Sequence, residues 1–250
     1  MSDTGGVIVV SGGGSGIGRA TVERLARDGW PILAVGRREE PLRLIADDLG
    51  DQVDTLAADV ATESGAALVA AKIEDIRLGC KGVVAAAGGI SPSSDGDERQ
   101  LDDVRRDWQV AFDSNVLSAV LLVEALRDDL EQGGGRVVLL SSVAALRGSG
   151  GGPYGAMKAA LHAWMFDLAR DLGRHGGTAN VVAPGFVPDT EFWAGRLTDE
   201  SRRERAGQTL TGREGFPEEI ASLISWLLGP DGGWMTGQVL SPNGGVVLGR

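Results

Sequence analysis

The feature that most constrains this chain is the exchange, repeated along its length, of two periods. Short runs of Val, Ile, Leu and Ala alternate with segments whose apolar residues recur at helical spacing. The runs are "VIVV" (7–10), "PILAV" (31–35), "DTLAA" (54–58), "GVVAAA" (82–87), "RVVLL" (136–140) and "TANVVA" (178–183), with a short "GQVLS" near the end. A run that is apolar at nearly every position needs cover on both faces, which is the condition of a strand inside a parallel sheet. Helical segments at 17–29, 39–50, 63–77, 99–130 (one or two helices), 153–172 and 217–228 supply that cover. The pattern predicts an α/β fold, a doubly wound parallel β-sheet with helices on both faces. No internal repeat or long linker divides it, so residues 1–250 are read as a single domain.

Composition excludes several classes of partner. A net charge of −11 and a pI near 4.7 argue against nucleic acid or an anionic membrane. The single cysteine, Cys80, permits no internal disulfide and suits a reducing compartment. The first residues lack a signal-peptide pattern. The longest apolar runs (116–123 and 137–146) fall short of the roughly 18 to 20 residues of a membrane span. A cytoplasmic protein is expected. His162 and His175 are too few and too isolated for a metal site, so no metal is expected.

The first strand runs straight into "SGGGSGIG" and then into a helix. Glycines there let backbone N–H groups and a helix N-terminus approach a pyrophosphate. The G-x-G-x-x-G spacing is absent; what fits is Gly12-x3-Gly16-x-Gly18, with Ser15 and Ile17 between. The position of this loop supports a dinucleotide site on a Rossmann fold. At the end of the second strand, where an NAD site places an acid for the ribose 2′-OH, stand Gly36, Arg37 and Arg38. A guanidinium in place of the acid suits a 2′-phosphate, so NADP(H) is preferred and NAD(H) is the alternative. A solvated pair at a helix start remains the competing reading of the two arginines.

"PYGAMKAAL" (153–161) holds the only tyrosine in the chain and one of three lysines. Tyr154 and Lys158, four apart on a helix, share a face. A free phenol has a pKa of about 10, and reaching about 7 requires roughly 4 kcal/mol of preference for the anion. A neighbouring ammonium in a partly dry cleft is the expected source. Such a phenol is a general acid/base for an alcohol and its carbonyl.

On these residues the chain resembles the short-chain dehydrogenase/reductase family over its full length. Tyr154-x3-Lys158, "SGGGSGIG", "FDSNVLSA", "RVVLLSSVAA", "VVAPGFVPDTEF" and the C-terminal "MTGQVLSPNGG" resemble family motifs in family order. The resemblance implies that Tyr154 is the acid/base and that Lys158 lowers its pKa and binds the nicotinamide ribose. It implies that a serine holds the substrate oxygen and that Asn115 places a water linking Lys158 to solvent. Asp59, beside Val60, matches the acid at the adenine, and Pro184, Gly185, Val187 and Thr190 match the nicotinamide and phosphate side. The family's Asn-Asn-Ala-Gly is "AAAG" here, with Ala86, Ala87 and Gly88 at the cofactor and the amides of the motif gone. Pro242-Asn243 stands where an Asp is usual before paired glycines. Spacing to the tyrosine selects Ser141, whereas the local "SSVAA" pattern selects Ser142; Ser142 is preferred.

The implied activity is reversible, NADPH-dependent reduction of a ketone or 3-oxoacyl carbonyl on a small-molecule substrate. The alternatives are a 3-oxoacyl-carrier-protein reductase specifically, or a dinucleotide-binding regulatory protein without turnover. An acidic chain repels an acidic carrier, although "SRRER" (201–205) offers a local basic cluster. Phe192 and Trp193 lie where the family carries its substrate lid, and a homo-oligomer, tetramer or dimer, is implied.

Overall fold

In the computed structural model, successive residues of the first strand, β1 (Val7–Ser11), go to opposite sides of the sheet. Val7 and Val9 join one apolar core, and Ile8 and Val10 the other. This is the physical reason that the run had to be apolar throughout. Residues 5–90, 100–148, 152–188 and 190–249 are described.

Six more strands follow: β2 (Ile32–Gly36), β3 (Val53–Ala57), β4 (Cys80–Ala85), β5 (Arg136–Leu140), β6 (Thr178–Val182) and β7 (Val239–Leu240). All pair in parallel, in the order β3-β2-β1-β4-β5-β6-β7. The order reverses between β1 and β4, and such a switch opens a crevice at the carboxyl ends of the strands.

The helices are α1 (Gly16–Arg27), α2 (Glu39–Leu49), α3 (Glu63–Ile76), α4 (Leu101–Phe112) and α5 (Ser118–Ala125). They continue as α6 (Arg127–Gln132), α7 (Ala144–Arg147), α8 (Tyr154–Gly173), α9 (Asp199–Gly207) and α10 (Pro217–Leu228). Val22, Leu25, Leu42, Ile45, Ile220 and Ile224 of α1, α2 and α10 cover one face of the sheet. Val69, Ile73, Leu122, Leu161, Met165 and Leu168 of α3, α5 and α8 cover the other. Each such side chain contributes about 1.5–3 kcal/mol when fully buried.

Two expectations need correction. The helical segment expected at 99–130, whose first residue lies outside the described residues, is three helices with a π turn (Asp113–Leu117) between α4 and α5. Helix α9 was not anticipated: it buries no residue, so it shows no apolar period. Thr198 starts it by accepting the Ser201 N–H at 3.2 Å. The glycine run at 148–152, expected as loop, lies partly outside the described residues. Cys80 is buried at the start of β4, where burial pushes its thiol up to about 12. Among the described residues, no helix is long and apolar enough to cross a membrane, and no group of His, Cys, Asp and Glu could hold a metal.

Candidate active site

A cleft of about 1370 Å3 lies along the carboxyl ends of the strands. At its β1 end the backbone leaves no room for side chains. A Cβ on Gly18 would lie 2.1 Å from the Gly12 carbonyl oxygen, and one on Gly12 (φ +67°) would lie 2.9 Å from that of Ala86. Only glycine lets these segments close on each other. Ser15, at the N-cap of α1, makes no side-chain cap, and the first turn holds no acid. The first-turn N–H groups of Gly16, Ile17 and Gly18 are therefore available to an anion. All three residues line the cleft, together with Ser15 and Gly12. Thr190 closes the far side: a Cβ on Gly16 would come within 3.0 Å of its Cβ.

Loss of the amides in "AAAG" is compensated from β1. Ser11 Oγ accepts the Ala87 N–H at 3.1 Å, bracing the bend that carries Ala86, Ala87 and Gly88. No local sequence motif signals this brace, which joins residues 76 apart. Farther along, Arg37 and Arg38 are exposed beside Asp59 and Val60 on the cleft wall. Arg37 has no hydrogen-bond or ion-pair partner among the described residues. Asp59 accepts the Ala61 N–H at 3.1 Å with one carboxylate oxygen.

At the chemical end, α8 begins at Tyr154, immediately after Pro153. Ser142, following β5, hydrogen-bonds the phenol. Ser142 Oγ also accepts the Ala144 N–H at 3.1 Å, which holds the hydroxyl beside the phenol. Ser141 faces away: it donates to the Lys158 carbonyl at 2.9 Å and meets His162 Nε2 at 2.8 Å. Lys158 Nζ lies 5.9 Å from the Tyr154 ring centre and donates to the Leu140 carbonyl at 2.9 Å.

The expected lowering of the phenol by Lys158 is not found in the protein alone. Burial pushes Tyr154 up to about 12, against the opposing pull of the Ser142 hydrogen bond. Burial likewise brings Lys158 down to about 8. Both shifts have one cause, the cost of a charge in a dry site.

Asn115 is buried in the π turn and does not line the cleft. Its Oδ1 accepts the Gly89 N–H at 3.0 Å, and its Nδ2 donates to the Gly89 and Ala111 carbonyls at 2.9 and 3.0 Å. A Cβ on Gly88 would lie 2.6 Å from Asn115 Oδ1 and 3.1 Å from Lys158 Nζ. Asn115 thus adjoins Lys158 through the glycine bend. A π turn widens the helix by one residue and is frequent at functional sites.

Pro184, Gly185 and Val187 line the wall opposite the glycine loop. Gly185 N–H donates to the Pro242 carbonyl at 3.0 Å. Asn243, in the position where Asp is usual, accepts the Gly245 N–H at 2.8 Å. Beyond them, Phe192 stacks 5.5 Å from Tyr154, Trp193 5.0 Å from Phe192, and Phe186 5.4 Å from Trp193. Trp193 therefore both lines the cleft and packs between Phe186 and Phe192.

A dinucleotide fits this cleft. The glycine loop, with first-turn N–H groups suited to phosphates, lines it together with Arg37, Asp59 and the Tyr154 cluster. The fold, the cradle and the Tyr-Lys-Ser cluster together define a nicotinamide-dependent oxidoreductase. The sequence model described as Enoyl-(Acyl carrier protein) reductase matches residues 12–247, and the chain belongs to the short-chain dehydrogenase/reductase family. It is an NAD(P)-dependent enzyme acting on a carbonyl or its alcohol. It is 33% identical to the short-chain reductase protein NovJ of Streptomyces niveus, over 96% of this chain and 93% of that protein. It is 31% identical to the 3-oxoacyl-[acyl-carrier-protein] reductase FabG of Vibrio cholerae, over 99% and 100%. Among solved structures, the active-site complex of Pseudomonas aeruginosa RhlG with NADP superposes with a TM-score of 0.88 at 28% identity, covering 99% of this chain and 98% of that one.

Proposed function

We propose that the enzyme reduces a ketone with NADPH, reversibly, and that Tyr154 is its acid/base. The observation that carries this reading is the Ser142–Tyr154 hydrogen bond in the cleft that also holds the glycine cradle. When bound, the dinucleotide supplies or takes the hydride at the carbonyl carbon. Tyr154 gives its proton to the carbonyl oxygen as that carbon is reduced, and takes it back when the alcohol is oxidised. Ser142 directs its hydroxyl proton at the reacting oxygen. Lys158 offers donors to the nicotinamide ribose and a positive charge near the phenolate, and Asn115 orders the path from Lys158 to solvent. The phosphates rest on Gly12, Ser15, Gly16, Ile17 and Gly18, with Thr190 closing over them. Asp59, Val60, Ala86, Ala87 and Gly88 receive the adenosine half; Pro184, Gly185 and Val187 receive the nicotinamide.

Arg37, exposed at the end of β2 where no acid stands, supports NADP(H) over NAD(H), as does the NADP held by RhlG. Likeness to FabG favours a second reading, a carrier-bound 3-oxoacyl substrate. The chain's net charge of −11 opposes it. So does the dispersal of the basic cluster: Arg202 Nε is bonded to Glu214 at 2.8 Å, and Arg205 turns onto Trp193. Trp108 and Phe112 on α4, Phe166 on α8 and Trp234 are exposed apolar groups that suit a dimer or tetramer.

The test is consumption of NADPH and NADH in parallel against a 3-oxoacyl thioester, a steroid ketone, a quinone, a keto-sugar and an aromatic ketone. Turnover is expected with NADPH at a kcat/KM about tenfold or more above that with NADH. Tight cofactor binding with no turnover on any ketone supports the regulatory, non-catalytic alternative instead.

A further inference from the structure

Arginines elsewhere on this acidic chain are mostly neutralised by carboxylates. Arg19 pairs with Glu23 at 2.7 Å, Arg43 with Asp47 at 2.7 Å, Arg127 with Glu124 at 2.5 Å and Arg213 with Glu219 at 2.6 Å. Three arginines at the substrate end of the cleft have no carboxylate partner among the described residues. Arg147 bonds only the Gln208 side-chain oxygen, at 3.4 Å, and Arg196 only the Ile90 carbonyl, at 3.0 Å. Arg205 lies over the Trp193 ring at 4.9 Å and the Phe186 ring at 6.0 Å. Asp113 and Glu204 also line the cleft, yet neither forms an ion pair with these arginines among the described residues. Neutral partners hold all three guanidinium groups in place, and none is ion-paired among the described residues.

The distance of that charge from the reacting group is set by rings. From Tyr154 the path runs to Phe192 (5.5 Å), to Trp193 (5.0 Å) and to the Arg205 guanidinium (4.9 Å). A molecule with its carbonyl at Tyr154 lies along an apolar wall and reaches a cation within about 15 Å of the ring, the length of the three steps together. Contact with the two rings holds the guanidinium on the cleft wall, and a guanidinium offers a planar fork of N–H donors to a planar oxyanion.

We propose that the substrate is an oxo acid: a ketone on an apolar body whose carboxylate is bound by Arg205, with Arg147 and Arg196 adding positive field. The proposal rests on the reading of Tyr154 given above. An acidic protein draws an isolated anion only where its local field is positive, which is the condition these three residues create.

The experiment is calorimetric binding to the NADPH-loaded enzyme of 9-oxodecanoate, whose ketone and carboxylate stand about 10 Å apart when extended, and of its methyl ester, at low salt, with NADPH consumption followed separately. The acid is expected to bind about tenfold tighter than the ester, the scale of one charge-assisted contact. In Arg205→Met, which keeps a flexible apolar chain over Trp193, the ratio is expected to fall within about twofold. Equal binding of acid and ester overturns the proposal, as does a ratio unchanged in both Arg205→Met and Arg147→Met. Absence of binding by either compound, or tighter binding of a 3-oxoacyl phosphopantetheine thioester than of the acid, overturns it as well. Turnover separates the two readings. Reduction without acid preference leaves the reductase standing and removes the oxo acid, whereas acid preference without NADPH consumption leaves the anion site standing and removes the reductase.

Discussion

The Ser142 hydroxyl is hydrogen-bonded to the Tyr154 phenol, while its neighbour Ser141 is turned through the strand end toward the Lys158 carbonyl. Two adjacent serines at the end of β5 therefore serve opposite sides of the chain. With its one proton given to Lys158, Ser141 accepts from His162, which fixes the Nε2–H tautomer of that imidazole. Ser142→Ala is expected to lower kcat about a hundredfold, the order associated with a lost donor at a reacting oxygen. Ser141→Ala is expected to lower thermal stability and to change kcat less than tenfold. Steady-state kinetics and melting curves on both variants check this, and the reverse pattern would make Ser141 the catalytic serine.

Burial of Lys158 has a cost that depends on pH. Its pKa in the fold is about 8, against 10.5 for a free lysine. Below pH 8 both folded and unfolded chains hold the proton, and the fold bears the full cost of the ammonium. Between 8 and 10.5 the unfolded chain holds more protons, so stability rises with pH. Relative to Lys158→Met, the wild type is expected to gain on the order of 2 kcal/mol between pH 7 and pH 10. Urea denaturation of both proteins at the two pH values measures it, and parallel pH dependence would show that Lys158 is not desolvated.

Tyr154 titrates in the other direction. With its pKa raised to about 12 by burial, it holds its proton throughout the neutral range. Carbonyl reduction is expected not to accelerate from pH 7 to 9, because the acid form is already present. Alcohol oxidation, which needs the phenolate, is expected to rise about tenfold per pH unit over the same range. Initial rates in both directions test this, and a reduction rate that climbs with pH contradicts the assignment.

Cofactor choice follows from the end of β2. Gly36→Asp with Arg37→Ala restores an acid for the 2′-OH and removes the guanidinium. The ratio of kcat/KM for NADPH to that for NADH is expected to fall at least tenfold, the worth of about one charge-assisted contact. An unchanged ratio would place phosphate recognition elsewhere.

Much of this was legible in the chain itself. Seven strands, the glycine cradle and the Tyr154–Lys158 pair all lie in local sequence, because period, backbone freedom and helical spacing are local properties. The brace from Ser11 to Ala87 and the stack of Arg205 on Trp193 were not legible, since both join elements distant in sequence. The π turn holding Asn115 escaped because it changes the hydrogen-bond step while the chain stays helical on either side. The depressed amine of Lys158 and the raised phenol of Tyr154 escaped for another reason. Sequence shows which charges are near one another, but desolvation depends on everything packed around them.

The most direct test of the account is Tyr154→Phe, assayed for NADPH-dependent reduction and for NADPH affinity on the same preparation. Loss of turnover by a thousandfold or more, with the dissociation constant of NADPH within about threefold of wild type, is the predicted result. Retained turnover, or lost turnover together with lost cofactor binding, would contradict the assignment of Tyr154 as the group that moves the proton.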